Sequence, residues 1–325
     1  PPLGGLAGAT VRTSRSEIGA KMAHIFVAGL INIETTVAID GFPLEYFPVR
    51  YPFNGLHSAV SGVGWNIARA LTTLGNRVDF ASLVGTDENG GMARRTVARA
   101  GVDDALVLCG LETTAQSVIL YDPDGRRQIH VDLKDIQERE YPPSLAEAAL
   151  GACDMAVICN INFARPLLKA ARAAGKLIAT DVHALAGLED AYNQEFLAAA
   201  TILFLSDERL PGAPEAVIKE LLRRYPAEII VIGLGNKGAL LGLRKNGFIG
   251  RYPAVHTRAV VNTIGAGDAL FAAFIDRYLR TGDPYGALEA AQVFASYKIG
   301  EKGAAEGFLS GDELDGWIAK SKGAA

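Results

Sequence analysis

The chain has 325 residues, 49% of them hydrophobic and 21% charged, the balance of a folded globular protein rather than a disordered one. Its 36 acidic and 32 basic side chains give a net charge of −4, which excludes a general nucleic-acid binder built on a basic surface. Three cysteines without metal-knuckle spacing and five scattered histidines argue against a structural zinc site and for buried thiols in a reducing, cytoplasmic setting.

Residues 1–22, rich in Gly, Ala, Ser and Arg, lack the apolar stretch of a secretory signal and read as a tail. One folded unit is expected over 23–325, and no apolar run approaches the roughly 18 residues of a membrane span. Residues 24–29 form an apolar run closed by Gly29, a buried strand. Residues 33–58 contain Pro43, Pro48 and Pro52 without helical periodicity, which predicts irregular or edge-strand structure. Ile67, Ala70, Leu71 and Leu74 then recur at helical spacing before Gly75. A strand over 77–84 and a helix around 91–100 follow. Asp122-Pro-Asp-Gly125 separates two β-rich runs, 117–121 and 126–131, as in a hairpin. This hairpin and the 33–58 segment are expected to be antiparallel and to build a small β-sheet lid from insertions at about 33–58 and 113–134.

Beyond the hairpin, apolar runs at 155–159, 176–180, 201–205 and 228–233 are separated by helical segments. That alternation predicts an α/β fold, a mostly parallel sheet with helices on both faces. Residues 233–238 formally satisfy GxGxxG, but 239–243 and 248–252 flank an Asn246–Gly247 turn and read as a hairpin. A dinucleotide fingerprint must open a helix, so a dehydrogenase is rejected. Asp283 and Pro284 open the last long helix expected, through Lys298.

The most informative stretch is Asn262-Thr-Ile-Gly-Ala-Gly-Asp268, followed by an apolar helical face of Leu270, Phe271, Phe274, Ile275 and Tyr278. Small residues at a helix N-terminus let an anion approach unpaired N–H groups. Asp268 in the first turn has two readings, a helix cap or a base that takes a proton from an attacking hydroxyl. The doubled glycines favour the second, because a cap needs only one suitable residue.

At these residues the sequence resembles the PfkB (ribokinase-like) carbohydrate kinase family, whose signature is Asp-Thr-x-Gly-Ala-Gly-Asp. Asn262 replaces the first Asp, and the likeness runs from about residue 24 to residue 308. The resemblance implies a Rossmann-like core with a β lid, Asp268 as catalytic base and Gly265, Ala266 and Gly267 as the anion hole. It implies ATP and Mg2+ as cofactors and a homodimer formed through the lid, with Phe42, Tyr46, Phe47 and Tyr51 available for contacts. In several members a monovalent cation lies near the position of Asn262.

On the acceptor side the resemblance implies substrate-binding roles for Asn32 and Glu34, where Glu stands for the usual Asp. It implies the same for Gly62 and Asn66 in Ser61-Gly62-Val63-Gly64-Trp65-Asn66, and for Asp181 and Asn160 at strand ends. Trp65 reads as a core residue before a ligand-stacking one. On the nucleotide side it implies Gly235, Lys237 and Gly238, with Gly233 where Thr is usual. Ser206-Asp207-Glu208-Arg209 departs from the family's Asn-x-x-Glu, leaving Ser206 near nucleotide and Glu208 toward magnesium. The acceptor is a sugar or sugar-like molecule. A nucleoside acceptor, of adenosine or pseudouridine type, and a catalytically silent sugar or nucleotide sensor are the alternatives.

Overall fold

Aliphatic and β-branched runs fill the interior of one large sheet, and the amphipathic segments between them cover its two faces. The structure is a computed structural model that describes residues 22–323. The tail expected over residues 1–22 lies outside the described residues, apart from Met22. The first half comprises β1 (His24–Ala28), β2 (Asn32–Ala38), β3 (Leu56–Ser61), α1 (Val63–Thr73), β4 (Arg77–Gly85), α2 (Glu88–Arg99), β5 (Val107–Leu111), β6 (Gln116–Tyr121) and β7 (Arg127–Asp132). Next come α3 (Pro143–Ala152), β8 (Met155–Ile158), α4 (Arg165–Ala173), β9 (Leu177–Ala184), α5 (Gln194–Ala199), β10 (Ile202–Ser206) and α6 (Pro214–Arg224). The last third holds β11 (Ile229–Gly233), β12 (Ala239–Leu243), β13 (Ile249–Tyr252), α7 (Ala266–Thr281), α8 (Pro284–Lys298) and α9 (Gly311–Gly323).

The large sheet has nine strands in the order β13-β12-β11-β10-β9-β8-β1-β4-β5, parallel from β11 through to β5. β11, β12 and β13 pair antiparallel, with Gly233 opposite Ala239, so the GxGxxG run closes a hairpin and opens no helix. The smaller sheet has the order β3-β2-β6-β7. Its hairpin is antiparallel as expected, but β2 and β6 run parallel, Ile33 opposite Gln116. The reason is the connection: α1, β4, α2 and β5 intervene, and a crossover of that length permits a parallel pair where a tight turn cannot. Two further elements escape the sequence reading, the edge strand β5 and the terminal helix α9.

One face of the large sheet packs against α1, α7 and α8, and the other against α3–α6. Phe204 of β10 meets Phe271 and Phe274 of α7 at ring-centroid distances of 4.7 and 5.2 Å. Each such pair contributes about 0.5–1.5 kcal/mol beyond burial. Trp65 is 2% exposed and tilts against Phe80 at 5.8 Å, a core residue. Cys153 and Cys159 are buried, but Cys109 is exposed, because β5 is an edge strand.

Where α1 begins, two backbones touch. A Cβ at Gly64 would lie 2.4–2.8 Å from the Gly29 backbone, and one at Gly29 would lie 2.5 Å from the Cys159 Sγ. We expect Gly64→Ala to lower stability by about 1–3 kcal/mol, since no flexible side chain can yield there. Gly151→Ala in α3, whose Cβ would meet open space, should be neutral or stabilising by up to about 1 kcal/mol. Denaturant unfolding of the two variants checks the contrast.

Candidate active site

The close approach of Gly29 and Gly64 sets the start of α1 against the end of β1, so Asn66 faces the first turn of α7. Asn66 Nδ2 donates to Asp268 Oδ2 at 2.7 Å, and Ser61 Oγ donates to Asn66 Oδ1 at 3.2 Å. Asn32 stands opposite Ser61 in the lid sheet and donates from Nδ2 to Ser117 Oγ at 3.0 Å. Asn32, Glu34, Ser61, Asn66 and Asp268 are all buried. The expected acceptor residues and the motif carboxylate therefore share one polar cleft beneath the lid.

The structure removes the helix-cap reading of Asp268. The residue capping α7 is Gly265, in the left-handed region at φ 73°, and no side chain among the described residues caps the helix. Asp268 is committed instead to Asn66 across the cleft. Burial raises its pKa, opposed by the Asn66 hydrogen bond and by the charges of His183 and Lys298. Asp181 reinforces the rise. Burial likewise lifts Glu34 to a pKa of about 7, against the Ser61 hydroxyl, which favours the ionised form.

The turn before α7 presents donors. Ala266 N–H bonds Thr263 O at 3.2 Å and Ala269 N–H bonds Gly265 O at 3.0 Å, while the N–H groups of Gly265, Gly267 and Asp268 have no backbone acceptor among the described residues. Of the three residues expected as an anion hole, Ala266 thus has its N–H already engaged. A Cβ at Gly265 would strike Ala304 O at 2.8 Å, whereas one at Gly267 would enter open space. Glycine at 265 is demanded by the protein itself, whereas packing makes no such demand at 267.

Asp181 and His183, at the end of β9, border the same carboxylate. His183 N–H donates to Asp181 Oδ1 at 2.8 Å, and His183 holds a left-handed φ of 57°. Strained non-glycine backbone of this kind gathers at functional sites. Asn160 is directed elsewhere, donating to Asn193 Oδ1 at 3.1 Å and to Val182 O at 3.4 Å. Gly62 is the N-terminal cap of α1 at φ 105°, and a Cβ there would lie 2.6 Å from Leu30 O.

Ser206 and Gly233 are paired at the carboxyl ends of β10 and β11, the edge where open α/β sheets bind ligands. Gly235 and Lys237 lie in the adjoining turn, and Gly238 is held at φ 94° against Tyr252 O. Glu208 is exposed and lies 3.3 Å from Arg127 Nη2, whose Nη1 donates to Thr263 Oγ1 at 2.9 Å. Among the described residues no three His, Cys, Asp or Glu side chains form a metal-binding group. Magnesium carried mainly by phosphate and water needs only one or two carboxylates, and Glu208 beside the motif fits that demand.

Two side chains at this site escape the sequence reading. Arg127 carries no signal beyond its place in a hairpin. Lys298 does carry one: it lies four residues after the buried Phe294 and seven after the buried Ala291, on the inward face of α8.

Comparison with known proteins agrees with this fold. An ATP-dependent ribose-1-phosphate kinase from Halopiger xanaduensis is 28% identical over 286 residues, covering 87% of this chain and 94% of that protein. An acarbose 7(IV)-phosphotransferase from Actinoplanes sp. is 27% identical over 275 residues, covering 82% and 90%. The solved structure of a microbiome-derived acarbose kinase, Mak1, superposes with a TM-score of 0.83 at 26% identity, covering 92% and 99%. The family model for pfkB family carbohydrate kinases matches residues 22–310, which span β1 to the approach of α9 and include the whole cleft. On fold, motif and extent of match, the chain belongs to the PfkB family of carbohydrate kinases.

Proposed function

We propose that the chain transfers the γ-phosphoryl group of ATP to a hydroxymethyl group of a sugar or sugar-like molecule, with Asp268 as general base. The observation that carries this reading is the Asn66–Asp268 hydrogen bond beside free N–H groups at the start of α7. Asn66 occupies one carboxylate oxygen and leaves the other for the acceptor hydroxyl. The raised pKa of Asp268 brings a proton acceptor nearer to neutral pH, where general-base catalysis is most effective. The N–H groups of Gly265, Gly267 and Asp268 are aimed at charge on the transferring group. Magnesium, when bound, neutralises the triphosphate charge, and Glu208 is the carboxylate we assign to it. Ser206, Gly235, Lys237 and Gly238 border the nucleotide.

Asn32, Glu34, Gly62, Asn66 and Asp181 form the acceptor pocket in this reading, while the Asn160 amide is turned to Asn193 and Val182. Asn32 Oδ1 is buried without a donor among the described residues, and a ligand hydroxyl would satisfy it. The relatives named above phosphorylate a sugar phosphate and acarbose, which supports a carbohydrate acceptor. We assign one kinase domain to 23–325, with the lid segments inserted. Three free cysteines suit the cytoplasm, and no helix among the described residues is long and apolar enough to cross a membrane. The lid loop exposes Tyr46 (91%), Phe53 (86%), Tyr51 (73%) and Phe47 (64%). An apolar patch of that kind marks an interface, and we assign it to a second copy of the chain.

Asp268→Asn should lower kcat by roughly 10²–10⁴ while ATP binding persists; ADP release across sugars, sugar phosphates and nucleosides measures it. Near-wild-type turnover would remove Asp268 as the base. Glu34 ionises as pH rises through about 7, and a carboxylate accepts more strongly from sugar hydroxyls than a neutral acid. The acceptor KM should therefore fall as pH rises through that value, and Glu34→Gln should flatten the dependence. Tyr46→Asp combined with Phe53→Asp should convert dimer to monomer in light scattering; a monomeric wild type would instead leave the patch to close over substrate.

A further inference from the structure

Lys298 is fully buried at the end of α8, and its Nζ donates to the carbonyl of Ile264. Lysine almost never occupies such a place without a partner. Here the hydrogen bond goes to a backbone carbonyl and not to a carboxylate. Ile264 lies four residues before Asp268, the position that would accept the Asp268 N–H in a regular helix. That bond is not made, and the ladder starts one residue later, at Ala269 N–H to Gly265 O. The same turn is tied down from its other side. Asn262 Nδ2 donates to Lys302 O at 2.9 Å, Asn262 Oδ1 accepts from Ile264 N–H at 3.0 Å, and Val261 N–H bonds Ile299 O at 2.8 Å.

We propose that the Lys298 ammonium is a built-in cation: it draws the Ile264 carbonyl out of the α7 ladder, frees the Asp268 N–H for the transferring phosphoryl group, and makes turnover independent of any monovalent metal ion. The inference rests on the kinase reading above and deepens it. Asn262 supports it, because an amide at that position adds no negative charge to hold a second cation. The acidic groups that face Lys298 are Asp268 on α7, Glu34 on β2, and Glu301 and Glu306 in the segment after α8. They favour its charged form, whereas burial lowers its pKa to about 8. An ammonium kept dry against that cost is a positioning residue, since an apolar side chain of similar volume would pack there at lower cost.

The test compares wild type and Lys298→Met in sodium, potassium, ammonium and tetramethylammonium chloride at equal ionic strength. ADP release is followed at saturating ATP, magnesium and productive acceptor. Wild-type kcat should agree within about twofold in all four salts. In the variant it should fall roughly tenfold or more, the scale of losing one preorganised electrostatic contact. Potassium or ammonium should restore part of that loss, and tetramethylammonium none. Clear stimulation of the wild type by potassium would overturn the proposal, as would an unchanged variant or a loss that no cation repairs. Melting temperature in the same salts reads the site without turnover: the wild type should be indifferent, and the variant should gain only with potassium or ammonium. If that melting pattern holds while no acceptor is phosphorylated, the kinase reading fails with the catalytic part of the inference, and only the structural part, an ammonium filling a cation position beneath Ile264, stands.

Discussion

A carboxylate withdrawn from water at the head of α7 is the constraint on which the site depends. Burial of Asp268 raises its pKa, and an unpartnered charge at such depth would cost several kcal/mol. The structure offsets that cost with Asn66 at 2.7 Å. Asn66 can reach only because α1 starts directly on the end of β1. That contact requires glycine at 29 and 64, because any Cβ there would lie inside a neighbouring backbone or thiol. A packing requirement between two glycines thus becomes an electrostatic condition of the chemistry.

The lid obeys the same logic. β2 begins shortly after β1 ends, so core and lid are joined by a short connection at the cleft itself. Alternation along β2 turns Asn32, Glu34 and Thr36 to one buried side. The parallel β2–β6 pair brings Ser117 to Asn32, and the β7 hairpin strand carries Arg127 across to Thr263 and Glu208. The lid therefore supplies Asn32 and Glu34 from its buried face and a guanidinium beside the turn that precedes α7.

Much of the fold is legible in the sequence. The apolar runs of β8 to β11, the β12–β13 hairpin and the α7 face each satisfy a local period, and local periods need no knowledge of distant chain. β5 and α9 lack that clarity, β5 because it is a half-exposed edge and α9 because its pattern is mixed. The parallel β2–β6 pair is illegible for a different reason: strand direction depends on where the intervening chain travels. At the site, the motif singles out Asp268 and the family resemblance points to Asn66, Asn32 and Glu34, and the fold gathers the four into one cleft. Asn160 is singled out only by its place at a strand end, and its amide is engaged by Asn193 and Val182.

The sequence by itself determined the fold class, the motif at 262–268 and the reaction that the motif implies, since these rest on residue types at fixed short spacings. Only the tertiary structure decided what those residues do with their hydrogen bonds. It made Gly265 the helix cap and released Asp268 to face Asn66, 202 residues away in the chain. It also set Lys298 beneath Ile264, where a lysine drawn from a later helix controls which amides of the motif remain free. Partners so distant in sequence share no spacing rule, because the sheet and helix packing alone brings them within reach.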